Sequence, residues 1–257
     1  MGIGSSGQLW LNNSNLILSF MYILDLTLPT PAENLALDEA LLEEAEAASQ
    51  PLETLRFWEP RQLMAVIGRS SRVESEVNID VCQELGIPIL RRISGGASIV
   101  TGPGCLMYAV VLSYENRPGL RAVGQAHAFV LDTLAKALAS LVPGVCFCGT
   151  SDLAVGNLKF SGNSMRCRKR HFLYHGTILY DFPLELVSCC LKVPPRMPDY
   201  RDGRGHGAFV TNLPIPAESI RRALISAFEA VEHLKDWPRE LTVRLAAEKY
   251  GSDRWNL

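Results

Sequence analysis

Arg91-Arg92-Ile93-Ser94-Gly95-Gly96-Ala97-Ser98 is the stretch around which this chain is organised. Two adjacent arginines leave a predicted strand, residues 87–90, and run straight into a Ser-Gly-Gly corner. Glycine allows positive φ and close approach of backbone to a ligand, so a glycine pair can present N–H groups in a concave turn. Arginine adds a planar fork of donors suited to phosphate or carboxylate. The octamer describes a place to hold an anion, or else a hairpin corner with two solvated arginines. A second stretch favours the anion site: Ser151-Asp152-Leu153, leading to Lys159-Phe160-Ser161-Gly162-Asn163.

Outward from the octamer, the chain reads as alternating strands and helices. Thr30-Pro31-Ala32-Glu33 is a capping box with proline at the first helical position, so a helix is expected from there to near Pro51. Strands are expected at 55–58 and 64–67, a short helix at 79–85 stopped by Gly86, and strands at 99–101 and 107–112. A long helix fits 124–141, where Phe129, Leu131, Leu134, Leu138 and Leu141 recur at near-helical spacing. Strands follow at 145–147, 152–155 and 158–160, with a hairpin turn at Gly156-Asn157, and another at 172–180 interrupted by His175-Gly176-Thr177. A helix at 184–191 leads into a Pro-, Gly- and charge-rich surface loop or lid, 194–207, and helices at 217–232 and 241–250 close the chain. Strands outnumber helices and come in adjacent pairs. The expected class is α+β, with a mixed, largely antiparallel sheet flanked by helices.

Composition narrows the function. A formal net charge of -2 leaves no basic excess for bulk binding to nucleic acid. The seven cysteines are an odd number at scattered spacing, without a Cys-x-x-Cys pair, which reads as reduced thiols and gives no zinc spacing. Residues 1–20 carry no Lys or Arg, and their apolar patch at 16–21 is too short to span a bilayer. They are expected to be a disordered extension before a single domain, 21–257, that is cytoplasmic and binds no membrane.

In order along the chain, Arg91-Arg92-Ile93-Ser94-Gly95-Gly96-Ala97, Ser151-Asp152-Leu153, Lys159-Phe160-Ser161-Gly162-Asn163 and His175-Gly176-Thr177 resemble the signature series of the lipoate–protein ligase A family. That family shares a superfamily and catalytic-domain fold with biotin ligases and octanoyltransferases. The resemblance begins near Asn34-Leu35-Ala36-Leu37-Asp38-Glu39, includes Ile67-Gly68-Arg69 and Glu76-Val77-Asn78, and reaches Asn212-Leu213. It implies a two-step reaction: lipoate and ATP, with magnesium, give lipoyl-adenylate, and the acyl group passes to a lysine of a lipoyl domain. By the same resemblance Lys159 is the catalytic residue, touching the lipoate carboxyl and the nucleotide, and Arg92 meets ATP. Gly95, Gly96, Ala97, Ser98, Ile99 and Val100 would wrap the adenylate, with Asp152, Ser161, Gly162, His175 and Gly176 completing the pocket and Asp152 as the candidate magnesium contact. The chemistry is coherent, because carboxylate attack on the α-phosphate brings two anions together and needs fixed positive charge.

The chain also departs from the family pattern. Ala97 stands where a third glycine is common, Thr101 where His is common, Cys105 where Asn or Asp is common, and Ser151 where Asn usually precedes Asp152. Only residues 214–257 follow the catalytic core, too few for the separate C-terminal accessory domain of the long ligases. A small accessory subunit would then supply it, or the chain is a transferase that does without it. The transferase alternative moves octanoyl or lipoyl groups through a cysteine thioester, with Cys148 or Cys146 as nucleophile. A third alternative is a non-catalytic lipoyl-binding or assembly protein, with Tyr200, Arg201, Arg204 and His206 as a docking surface.

Overall fold

The capping box forms as its four residues require. In the computed structural model, which describes residues 21–194 and 197–257, Thr30 Oγ1 accepts from the Glu33 N–H at 3.2 Å and the Glu33 carboxylate accepts from the Thr30 N–H at 2.9 Å. In chain order the elements are β1 (Met21–Asp25), α1 (Pro31–Ala47), β2 (Glu53–Trp58), β3 (Met64–Ile67), α2 (Val73–Glu76), α3 (Ile79–Glu84), β4 (Ile89–Arg91), β5 (Ile99–Thr101) and β6 (Cys105–Ser113). Then come α4 (Val123–Ala139), β7 (Val145–Cys148), β8 (Asp152–Val155), β9 (Leu158–Cys167), β10 (His171–Leu179), α5 (Glu185–Cys190), α6 (Ala217–Ala227), β11 (Ala230–His233), α7 (Arg239–Leu245) and α8 (Asp253–Asn256).

Eight strands pair in the order β11-β1-β2-β6-β10-β9-β8-β7. The pairings of β1 with β11 and with β2 are parallel and all others in this sheet antiparallel, so the expected mixed, largely antiparallel sheet flanked by helices is what forms. A three-stranded sheet, β4-β3-β5, carries the Arg-Arg stretch. Both faces of β6 are buried. Its period-two alternation sends Tyr108, Val110 and Leu112 into a core shared with α4 and α6, and Met107, Ala109 and Val111 into one shared with α1 and the small sheet. The second core frames the site.

Four expectations change, the first being the strand expected at 158–160, which runs on to Cys167 through its pairing with β10. The strand expected to break at His175-Gly176-Thr177 is continuous, because it pairs with β6 at every residue from His171 to Leu179. The helix expected over 217–232 stops at Ala227; Glu229 takes a left-handed φ of 53°, and β11 then joins the sheet beside β1. The helix expected over 241–250 starts earlier, at Arg239, and changes at Ala246–Tyr250 to one wider turn. β1 itself was not anticipated. Residues 1–20, with their expected disorder, lie outside the described residues, as do residues 195–196 of the expected lid.

Candidate active site

Arg91 and Arg92 leave β4 on opposite errands. Arg91 turns away from the cavity described below and donates to the carbonyls of Gly68, Ser71 and Trp255, while its N–H donates to Asn256 Oδ1, so it ties the small sheet to α8. The Arg92 guanidinium curls back over its own loop, donating to the Gly95 carbonyl at 2.5 Å, the Ala97 carbonyl at 3.0 Å and Ser94 Oγ at 3.1 Å. Burial pushes the Arg92 guanidinium down to about 10, partly offset by Glu76, and it stays charged at neutral pH. The far end of the loop is held by Glu76, whose carboxylate accepts from the Ser98 N–H at 2.7 Å and Oγ–H at 2.8 Å. Gly96 has a φ of 88°, and a Cβ there would approach Arg92 Nη2 to 2.9 Å, so glycine is needed for both reasons.

Beneath this loop runs a buried hydrogen-bonded chain. Ser94 Oγ lies 2.5 Å from His175 Nε2, His175 Nδ1 lies 3.2 Å from Asp38 Oδ2, and the fully buried Arg56 donates to Asp38 Oδ1 at 2.5 Å. Burial alone would raise the Asp38 carboxyl, but Arg56 and His175 outweigh it and hold it below the usual carboxylate range. The order Ser–His–Asp is that of a hydrolase triad. Ser94, however, is buried and does not border the cavity, so the chain acts as a brace between α1, β2, β10 and the loop.

On the facing strands, Lys159 Nζ pairs with Asp152 Oδ1 at 2.7 Å, and the Tyr200 hydroxyl donates to Asp152 Oδ2 at 2.8 Å. The Lys159 backbone is held as well: its N–H donates to the Phe209 carbonyl at 2.8 Å, and its carbonyl accepts from the Thr211 N–H at 2.9 Å. Asn163 accepts from the Tyr108 hydroxyl at 2.6 Å and donates to the Ser151 carbonyl at 2.9 Å, which joins β6, β9 and the start of β8. Its Oδ1 would lie 1.8 Å from a Cβ at Gly176, so this glycine makes room for the brace.

These elements enclose a cavity of about 370 Å³. It is bordered by Arg92, Gly96, Ala97, Ser98, Ile99, Val100, Asp152, Lys159, Ser161, Gly162, His175 and Gly176, twelve of the residues singled out in the sequence. Gly95, Cys146 and Cys148 do not border it: the Gly95 carbonyl is taken by Arg92 and Ser164, and the two thiols face each other at 3.5 Å on β7. The wall divides by chemistry. Leu35, Val66, Val100, Met107, Leu179, Val187 and Leu191 are apolar, whereas Lys159, Arg201 and His206 bring cationic or protonatable nitrogens. Arg201 is 3 % exposed, and its Nη2 is buried without a hydrogen-bond partner among the described residues.

Asp38, Asn163, Tyr200, Arg201 and His206 were not assigned to the site from the sequence. For Asp38 a signal existed: Asn34 and Asp38 are polar residues one turn apart in an otherwise apolar stretch, and both bind Arg56. The residues present do not fit a magnesium site built by the protein. Both Asp152 oxygens are already engaged, and among the described residues no group of three or more His, Cys, Asp or Glu could hold a metal. Magnesium that arrives with a nucleotide is bound largely by phosphate oxygens and water. Among the described residues no helix is long and apolar enough to cross a membrane.

Several known proteins are similar to this chain in sequence and fold. An octanoyltransferase LipM of Exiguobacterium sibiricum is 28 % identical over 267 residues, covering 88 % of this chain and 94 % of that protein. A lipoate-protein ligase A subunit 1 of Thermoplasma acidophilum is 28 % identical over 254 residues, covering 90 % and 95 %. The fold matches a solved bi-partite lipoate protein ligase of Thermoplasma acidophilum, described with its E2 lipoyl domain, at a TM-score of 0.79 and 24 % identity over 92 % of this chain and 96 % of that one. The family model described as the lipoyl protein ligase A/B catalytic domain matches residues 30–229, and the chain belongs to that family of lipoate ligases and octanoyltransferases.

Proposed function

We propose that the protein is an ATP-dependent lipoate–protein ligase whose central catalytic residue is Lys159. In the first step a lipoate carboxylate oxygen attacks the α-phosphorus of ATP, the bond from that phosphorus to the α,β-bridging oxygen breaks, and pyrophosphate leaves. In the second, the amine of a lipoyl-domain lysine attacks the acyl carbonyl, loses its proton, and displaces AMP. Lys159 screens the two anions in the first step and polarises the acyl carbonyl in the second. The apolar wall suits a medium-length acyl chain, and Arg201 offers to a phosphate a buried nitrogen that is unpaired among the described residues.

One observation carries the choice of ligase over thioester chemistry: among the described residues no cysteine borders the cavity, whereas Lys159 does. Burial, the neighbouring Cys146 thiol and Asp152 also push the Cys148 thiol up to about 11, the wrong direction for a nucleophile. The octanoyltransferase among the relatives favours the transferase as second reading. The bi-partite neighbour supports a lipoyl domain as acceptor and a small accessory subunit as partner. Incubation with octanoyl-carrier protein without ATP, followed by intact mass, tests the choice. The ligase reading expects unmodified chain in the wild type, and an octanoyl adduct that vanishes in Cys148→Ser or Cys146→Ser would replace it with the transferase.

A further inference from the structure

The segment from Asp199 to Thr211 grips Lys159 from two sides. From one it holds the Lys159 backbone through the Phe209 carbonyl and the Thr211 N–H; from the other it reaches the counter-ion of the Lys159 side chain through the Tyr200 hydroxyl. The Tyr200 ring lies 5.2 Å from the Phe209 ring, and Pro198 and Tyr200 pack against Gly149, beyond the end of β7. Asp152 is 7 % exposed and divides its two oxygens between Tyr200 at 2.8 Å and Lys159 at 2.7 Å.

We propose that Tyr200 is a positioning residue that controls the freedom of Lys159 through Asp152. A buried carboxylate needs its charge satisfied by hydrogen bonds. With the Tyr200 hydroxyl in place, Asp152 has a second donor and Lys159 can lean toward a bound anion without stripping it. Without that hydroxyl the whole carboxylate charge falls on the ammonium, and Lys159 stays locked. Arg201 and His206, on the same segment, border the cavity, so a ligand there touches the segment that sets Lys159. This inference rests on the ligase reading for its kinetic consequence, though not for its structural one.

Tyr200→Phe removes the hydroxyl and keeps the ring on Phe209. With lipoate, ATP and an apo lipoyl domain as probes, kcat should fall at least about tenfold, with KM for lipoate and ATP within about twofold, as for an interaction used in the transition state. Asp152→Asn and the double variant Asp152→Asn, Tyr200→Phe should have the same kcat, because Tyr200 acts through Asp152. Wild-type kcat in Tyr200→Phe, or a further loss in the double variant, overturns the proposal. If the wild-type protein makes no adenylate, the ligase reading has failed, and competitive labelling of Lys159 with trinitrobenzenesulfonate, read by peptide mass, decides instead. Labelling at least about threefold slower in Tyr200→Phe supports a locked lysine, since a tighter ion pair lowers the free amine; an unchanged rate overturns it.

Discussion

Arg92 illustrates what residue type alone conveys and what it does not. Two arginines before Ser-Gly-Gly pointed to an anion site, and a cavity does lie there, but the Arg92 donors are directed at the Gly95 and Ala97 carbonyls of its own loop. Its guanidinium shapes the loop, an outcome that no spacing argument could separate from direct phosphate contact. Arg92→Lys keeps the charge and loses the fork. It is expected to lower stability by about 1–3 kcal/mol, with looser ligand binding, because the Gly95 and Ala97 carbonyls lose hydrogen bonds to a charged donor; an unchanged urea midpoint would contradict this. Gly176→Ala is the sharper steric test. Its Cβ would sit 1.8 Å from Asn163 Oδ1, so a loss of about 3 kcal/mol is expected from overpacking. Near-wild-type stability would mean that Asn163 can leave its place between Tyr108 and Ser151.

At the scale of elements, most boundaries were legible because their signals are local. The capping box starts α1, and strands β3, β5 and β8 fall on the expected residues. The misses have tertiary causes. β1 is a strand because β2 and β11 flank it, and α6 yields to β11 because an open sheet edge captures the chain after Glu229. The docking of α1 was also invisible, since it depends on Asp38 meeting Arg56 from β2. Breaking that buried pair leaves an uncompensated guanidinium. Asp38→Asn is therefore expected to cost about 3–5 kcal/mol, measured by urea unfolding, and to release His175 from one partner. A cost under about 1 kcal/mol would place the pair among exposed bridges, against its burial.

For the whole molecule, acid response follows from histidines that fold neutral. Burial, aided by Arg170 and opposed by Glu46, lowers the His171 imidazole, and burial likewise lowers His127 and His206. Each folded value lies below the unfolded one near 6.5. The unfolded chain therefore binds more protons, and stability is full above about pH 6.5 and declines as pH falls from there through the folded values. Urea midpoints measured from pH 7.5 to 5 should fall, and His171→Gln should flatten the slope; a flat wild-type profile would contradict the assignment. The order of motifs along the chain made the family legible, while the closing of Tyr200 and Arg201 over Asp152 required the fold. The most direct test of the central claim is pyrophosphate release from ATP with lipoate, in wild type and Lys159→Ala. The expected result is lipoate-dependent release in the wild type and loss of at least about a hundredfold in the variant, as for removal of one transition-state charge contact, with the far-ultraviolet spectrum unchanged. Release at the wild-type rate from Lys159→Ala would contradict the account.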